Sequence, residues 1–340
     1  MIRVLVAEDS PTARQLLVRI LRSDPGIEVV AEAADGLEAV ALAQKLKPSL
    51  ITMDIQMPRL GGLGATEQIM RLAPTPIIVV SGLDVRNVTV ALEALRAGAL
   101  TLLPKPVGPL DPDFKASTAR LLATVRAMAK VQVTRPAAAP GASAPGLSSR
   151  ALKRPEVVAM VASAGGPAAL NRVLGALPAD FPLPVLVVQH IAAGFVAGLA
   201  SWLDEAAEIA VKLAVSGEPL RPGTAYLAPD NFHLGAGDDR CVLLSAAPPE
   251  EGFRPSGSFL LRSAAQAYRG AAAGVVLTGM GSDGLAGARD LHRAGGRIVA
   301  QDEATSVIYS MPREIVAAGL ADAVLAVDDI AGHLCAQVVG

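Results

Sequence analysis

Two sets of residues in this 340-residue chain are of types that do chemistry when they are brought together. The first is Glu8, Asp9, Asp54, Ser81 and Lys105. Converging carboxylates repel one another unless a cation lies among them. Mg²⁺ suits such a group, because it takes one or two carboxylates plus phosphate oxygens and water. Asp54 can then attack a phosphoryl group while Lys105 neutralises the developing charge, and the Ser81 hydroxyl can bond the phosphate so placed. The second set is Ser163, His190 and Asp283, which supply a nucleophile, a general base and an orienting carboxylate. Singly, each residue has a plainer reading. Acids at strand-to-helix turns cap helices, Ser163 equally fits an N-cap or a phosphate-binding turn, a lone histidine at a strand end is commonly structural, and Asp283 in a glycine-rich loop suits a turn.

The chemistry requires that the fold gather these positions at one edge. Val4-Leu5-Val6-Ala7, Glu28-Val29-Val30-Ala31, Leu50-Ile51-Thr52-Met53, Ile77-Ile78-Val79-Val80 and Leu100-Thr101-Leu102-Leu103 are short β-type runs alternating with helical stretches. Such alternation predicts a parallel sheet with helices on both faces, whose ligand site lies beyond the carboxyl ends of the strands. Glu8, Asp9, Asp54, Ser81 and Lys105 all fall there. A second series follows at Val157–Val161, Val185–Val188, Thr224–Leu227, Gly274–Leu277 and Arg297–Ala300, with Ser163, His190 and Asp283 again beyond strand ends. The expected fold class is α/β, with two doubly wound domains: a five-stranded parallel flavodoxin-like domain and a larger, mainly parallel Rossmann-like hydrolase domain. The expected boundaries are 1–125, a Pro/Ala/Gly-rich linker at 126–154, and 155–340. Arg135, Arg150, Lys153 and Arg154 in that linker, with no acid among them, read as a solvated hinge.

Hydrophobic residues make up 51% of the chain and charged ones 18%, which excludes a disordered polar chain. A net charge of -2 gives no reason to expect nucleic acid as a partner. Cys241 and Cys335 are the only cysteines and make neither a disulfide framework nor a metal cluster. His233, His292 and His333 lack ligand spacing and read as surface or packing residues, and Trp202 reads as core. Acids follow the first apolar run at once, unlike a signal peptide, and no run approaches the length of about 20 apolar residues that spans a bilayer. A cytoplasmic protein without membrane insertion is expected. Near Ser163 and His190 the G-x-G-x-x-G spacing and a ribose-binding acid are both missing, which argues against a dinucleotide. The chain order Ser, His, Asp also differs from that of the common α/β hydrolases.

Residues 1 to about 125, with Met53-Asp54, Met57-Pro58 and Leu103-Pro104-Lys105-Pro106, resemble the response-regulator receiver family. The resemblance implies phosphorylation at Asp54, Mg²⁺ held by Glu8, Asp9 and Asp54, and phosphate contacts from Ser81 and Lys105. Gly61-Gly62 stands where the family usually has Asp-Gly, and Leu102 where it usually has an aromatic switch residue.

From about residue 155 the chain resembles the catalytic domain of the chemotaxis methylesterases commonly called CheB. The motifs are Ala162-Ser163-Ala164-Gly165-Gly166-Pro167, Gln189-His190, Pro219-Leu220-Arg221-Pro222-Gly223-Thr224, Arg254-Pro255-Ser256, Thr278-Gly279-Met280-Gly281-Ser282-Asp283-Gly284 and Ala300-Gln301-Asp302-Glu303. The resemblance implies hydrolysis of glutamate γ-methyl esters on methyl-accepting chemoreceptors with release of methanol, together with deamidation of particular glutamines. Ser163 would attack, His190 would carry the proton, Asp283 would orient it, and backbone N–H groups at Ala164 and Met280 would stabilise the oxyanion, with no cofactor for this step. It also implies a chemotaxis histidine kinase as phosphodonor and recruitment to membrane receptor arrays. Ile191-Ala192-Ala193-Gly194 and Gly257-Ser258 depart from the family pattern and are expected to border the substrate groove. The alternative of another class is a non-catalytic receiver-linked signalling adaptor. A transcriptional regulator lacks a recognition-helix unit or basic stripe.

Overall fold

The computed structural model describes residues 1–82, 85–131 and 153–338, and the chain divides into two compact units, Met1–Ala139 and Pro140–Gly340. Most of the linker read at 126–154, including Arg135 and Arg150, lies outside the described residues.

The first unit alternates β1 (Ile2–Ala7), α1 (Pro11–Arg22), β2 (Ile27–Ala33), α2 (Gly36–Leu46), β3 (Leu50–Met53), α3 (Gly62–Leu72), β4 (Ile77–Ser81), α4 (Val85–Arg96), β5 (Thr101–Pro104) and α5 (Phe114–Met128). All four strand pairings are parallel, in the order β2-β1-β3-β4-β5. Helix α1 packs on α5, while α2, α3 and α4 pack side by side, so both faces are covered. That coverage is why the strands read as unbroken apolar runs. Ser10 caps α1 by accepting from the Ala13 N–H, and Asp35 caps α2 by accepting from Glu38.

The second unit comprises β6 (Val157–Ala162), α6 (Gly166–Leu174), β7 (Val185–Gln189), α7 (Val196–Asp204), β8 (Ala210–Leu213), β9 (Thr224–Leu227), β10 (His233–Ala236), β11 (Val242–Ser245), α8 (Gly257–Tyr268), β12 (Ala272–Val276), α9 (Leu285–Arg293), β13 (Arg297–Gln301), α10 (Met311–Ala317), β14 (Ala323–Leu325) and α11 (Val327–Val338). Seven strands form one parallel sheet in the order β14-β13-β12-β6-β7-β9-β8, and β10 and β11 form an antiparallel hairpin that packs on α8. Helices α6, α7 and α11 cluster together, as do α8, α9 and α10, which is doubly wound packing. Every residue of the central strand β6 is fully buried.

The five strands expected in each unit are present. The hairpin strands and the edge strands β8 and β14 lie outside the expected set. β8 is Ala-Val-Lys-Leu with alternating exposure, and the three residues of β14 belong to an apolar run, Ala323–Val327, that passes directly into α11. Trp202 is buried, as read. His233 is fully buried, while His292 and His333 are partly buried. Among the described residues, no helix is long and apolar enough to cross a membrane.

Gly61-Gly62 has a clear structural consequence. A Cβ on Gly62 would sit 2.0 Å from the Asp54 carbonyl oxygen, so only glycine lets α3 start against the Asp54 loop. Gly61 is the N-cap residue of α3 and offers no side-chain bond. Gly62→Ala is expected to destabilise the first unit by about 1–3 kcal/mol. Gly61→Asp supplies the absent cap and is expected to stabilise it by a few tenths of a kcal/mol. Thermal unfolding of both variants checks the pair.

Candidate active site and acidic phosphoryl site

In the first unit the parallel ladder continues one residue past the strand ends. Asp54 N–H donates to the Ala7 carbonyl at 2.9 Å, and Lys105 N–H to the Ser81 carbonyl at 3.0 Å. The side chains thereby share one edge. Lys105 Nζ lies 2.9 Å from both Glu8 Oε1 and Asp54 Oδ2, and Asp54 Oδ1 accepts the Ile55 N–H at 2.7 Å. Glu8 is fully buried, Asp54 nearly so and Asp9 exposed. Carboxylate oxygens of all three lie within 4.8 Å of one another.

Burial first, and then the neighbouring Asp54 charge, push the Glu8 carboxyl above its ordinary range against the pull of Lys105. Burial alone would lower the Lys105 ammonium, but bonds to Asp54 and Glu8 outweigh it and hold the lysine protonated. Glu8 Oε2 is buried without a protein partner. One ammonium shared by two buried carboxylates, with an orphaned oxygen left over, is a donor set that fits a hard divalent cation. Ser81 closes the rim, its hydroxyl donating to the Gly82 carbonyl at 3.3 Å. Leu102 is buried in β5 opposite Val79 and presents no polar tip to Ser81.

In the second unit, Ala162 at the end of β6 pairs with Gln189 at the end of β7, so Ser163 and His190 follow side by side. Neighbouring strands run about 4.8 Å apart. His190 N–H donates to the Ala162 carbonyl at 2.9 Å, and Ser163 N–H to the Thr278 carbonyl at 3.0 Å. Ser163 stands on the turn into α6, where Gly165 takes φ 78°. His190 Nε2 lies 2.9 Å from Asp283 Oδ2, at an angle short of a straight hydrogen bond. Its ring stacks on Phe253 with centroids 4.2 Å apart and planes 8° from parallel. Among the described residues His190 Nδ1 has no protein hydrogen-bond partner.

Asp283 is buried and held by four donors besides the imidazole. Oδ1 accepts from Ser256 Oγ at 2.9 Å, Ser258 N–H at 3.0 Å and Gly284 N–H at 2.9 Å, while Oδ2 accepts from Gly257 N–H at 2.6 Å. The carboxylate therefore sits on the N-terminus of α8, where the helix dipole favours negative charge. Burial alone would raise its pKa; the bond and charge of His190 and the Gly257 and Ser258 N–H groups reverse that and bring it to about 2.

Ala164 lies on the same turn as Ser163, its carbonyl accepting from Thr278 Oγ1 at 2.9 Å. Met280 lies in the loop after β12, beside the Gly279–Tyr309 bridge. Of the two departures from the family pattern, Ala193 and Gly194 are exposed, and Gly194 N–H donates to Asp230 at 2.8 Å. Gly257 and Ser258 instead lie beneath Asp283, with Ser258 1% exposed. They are supports of the carboxylate rather than groove lining.

The sequence marks no role for Phe253, shows Ser256 only within the Arg254-Pro255-Ser256 motif, and gives His233 as a surface or packing residue. Ser256 is the N-cap of α8, accepting from Ser258 and Phe259, and a serine before a helical run is a readable signal. His233 Nδ1 accepts the Ser256 N–H at 3.2 Å, so its Nε2 carries the proton and donates to the Pro248 carbonyl at 3.1 Å. Arg254 bonds the Ala246 and Ala247 carbonyls at 3.1 Å each. Together they pin the segment that brings Phe253 to His190 and Ser256 to Asp283. No local sequence pattern marks that linkage.

Comparison with known proteins matches a family to each unit. The family described as CheB methylesterase matches residues 158–334, and the response regulator receiver domain matches residues 4–111. The chain is 55% identical to protein-glutamate methylesterase/protein-glutamine glutaminase 4 of Myxococcus xanthus, covering 100% of this chain and 98% of the relative. It is 52% identical to protein-glutamate methylesterase/protein-glutamine glutaminase 3 of Anaeromyxobacter dehalogenans, covering 98% of each. Among solved structures, the CheB methylesterase catalytic domain of Thermotoga maritima is 38% identical, with a TM-score of 0.53 over 54% of this chain and 99% of that one. With one family matched across more than half its length and relatives aligned from end to end, the chain belongs to the CheB methylesterase family and carries a response regulator receiver domain ahead of the esterase domain.

Proposed function

We propose that this chain is a phosphorylation-regulated protein-glutamate methylesterase that hydrolyses glutamate γ-methyl esters on methyl-accepting chemoreceptors, releases methanol, and deamidates particular receptor glutamines. The observation that carries the reading is the buried Asp283 anion facing the His190 imidazole at 2.9 Å beside Ser163. A non-catalytic adaptor has no use for a carboxylate held ionised by four donors behind an imidazole.

With Asp283 ionised at neutral pH, His190 keeps its proton on Nε2 and presents Nδ1 as the base. Ser163 Oγ loses its proton to Nδ1 as it attacks the ester carbonyl, and the Ser163 acyl enzyme forms as that proton passes to methoxide, which leaves as methanol. Water then repeats the sequence and frees the glutamate. A glutamine side chain follows the same path with ammonia leaving. Backbone N–H groups of Ala164 and Met280 stabilise the oxyanion, a contribution of about 3–4 kcal/mol where such donors have been removed. Hydrogen bonds in an unliganded site are commonly poorly aligned and tighten around substrate, which suits the bent His190–Asp283 contact. This step requires no cofactor.

In the receiver, residues 1–125, Glu8, Asp9 and Asp54 would hold Mg²⁺, which would supply positive charge for phosphoryl transfer. Asp54 accepts the phosphoryl group, and Ser81 and Lys105 contact it. The residues 126–154 join the receiver to the esterase domain at 155–340. With the apolar Leu102 buried where the family usually has an aromatic switch residue, phosphorylation is relayed without an aromatic side chain at that position. The phosphodonor is a chemotaxis histidine kinase, and the protein is cytoplasmic and recruited to receptor arrays.

Wild type is expected to release methanol from methylated receptor membranes and Ser163→Ala to release none; equal release from both would remove the esterase reading. A small phosphodonor with Mg²⁺ is expected to raise wild-type activity and leave Asp54→Asn unchanged. Mg²⁺ alone is expected to raise the melting temperature of wild type but not of Asp9→Ala, as mass action requires for a site present only when folded. Asp283, with its pKa depressed from 3.8 to about 2, contributes stability that is fully present above pH 3.8 and lost as pH falls towards 2. Its size is on the order of 2 kcal/mol. Asp283→Asn is expected to flatten the urea midpoint across that window and to lower kcat by about 10⁴-fold.

A further inference from the structure

Gln189 is a buried polar side chain beside the site to which the catalytic reading gives no role. Gln189, the last residue of β7, is 4% exposed. Its Nε2 donates at 2.8 Å to the Ser163 carbonyl and at 2.8 Å to the His190 carbonyl. Two carbonyl oxygens at that distance fix the amide's orientation, since the opposite flip would set its oxygen against both. Gln189 Oε1 then points at the first turn of α6. A Cβ on Gly166 would lie 2.0 Å from it, so the amide occupies space that exists only because residue 166 is glycine. Oε1 has no hydrogen-bond partner, and the positive end of the α6 dipole favours an oxygen there.

We infer that Gln189 is a positioning residue that sets the distance between Ser163 and His190. The inference rests on those two being the reacting pair. Every other backbone bond to them comes from a single neighbouring peptide. Ser163 N–H is held by Thr278, the Ser163 carbonyl by Gly166 N–H at 2.9 Å, and His190 N–H by Ala162. Among the described residues the Gln189 amide is the side chain that hydrogen-bonds both residues, and it does so from a place between β6, β7 and α6. Both carbonyls lie beyond the last paired rung of the sheet, where strand pairing no longer holds them. A buried amide with an orphaned oxygen costs stability that an apolar side chain of the same size would not, so its geometry, rather than packing, is the feature it supplies.

The full-length chain provides the test. Gln189→Met keeps the length and removes both donors, and Gln189→Glu keeps the shape while setting carboxylate oxygens against the two carbonyls. Both are expected to lower kcat for methanol release by about 10- to 100-fold, as a small misplacement of reacting groups does, with KM within about twofold. The rate at which a fluorophosphonate labels Ser163 is expected to fall by the same factor, because that reaction needs the Ser163–His190 pair but no receptor. Val211→Ala on the edge strand β8 serves as a control that loses stability away from the site and should label at the wild-type rate. Wild-type labelling by Gln189→Met, or slowing no greater than in a Val211→Ala control of equal melting temperature, would overturn the inference. Persistent activity in Ser163→Ala would instead overturn the reading beneath it.

Discussion

A desolvated carboxylate in a protein interior is stable only when hydrogen-bond donors surround it, and Asp283 meets that condition by sitting on the N-terminus of α8. Ser256, Gly257, Ser258 and Gly284 supply four donors, and His190 lies on the remaining side. That arrangement settles several things at once. The loop after β12 has to bend towards α8, and α8 has to begin close to β6, where a Cβ on Gly257 would collide with Val161 at 2.3 Å. The Glu250–Ser256 segment has to be pinned so that the helix starts at the right place, and His233 and Arg254 pin it. The same segment carries Phe253, whose ring fixes the plane of the imidazole.

The two units treat buried acid in opposite ways. Around Asp283 the donors outnumber the oxygens' needs, and the carboxyl is driven well below its ordinary range. Around Glu8 and Asp54 one ammonium serves two carboxylates, and burial pushes Glu8 up. The first environment holds a fixed anion beside an imidazole. The second leaves one ammonium to two carboxylates, a donor set that fits a hard cation. Both lie beyond the carboxyl ends of parallel strands, where strand ladders stop and side chains from several loops converge.

Much of this was legible in the chain itself. Apolar runs four or five residues long alternating with helical stretches mark parallel strands, and in a parallel sheet the residue after each run must lie at one edge. That is why Glu8, Asp54, Ser81 and Lys105, and likewise Ser163 and His190, could be grouped before any coordinates. The gaps follow from the same reasoning. The edge strand β8 buries alternate residues and shows no run, β14 is hidden in an apolar run that continues into α11, and the β10–β11 hairpin follows no βα pattern.

The sequence by itself determined the fold class and which residue types stand at each strand end, because both follow from local periodicity and chain connectivity. Tertiary structure alone decided which nitrogen of His190 meets Asp283, that Gly257 and Ser258 lie under that carboxylate, and that the Gln189 amide spans Ser163 and His190. The first joins two side chains far apart in the chain, and the Gly257, Ser258 and Gln189–Ser163 contacts join residues 25 or 26 positions apart through backbone N–H and carbonyl groups that every residue carries. A sequence names side chains, and peptide groups have the same chemistry everywhere until the fold aims them.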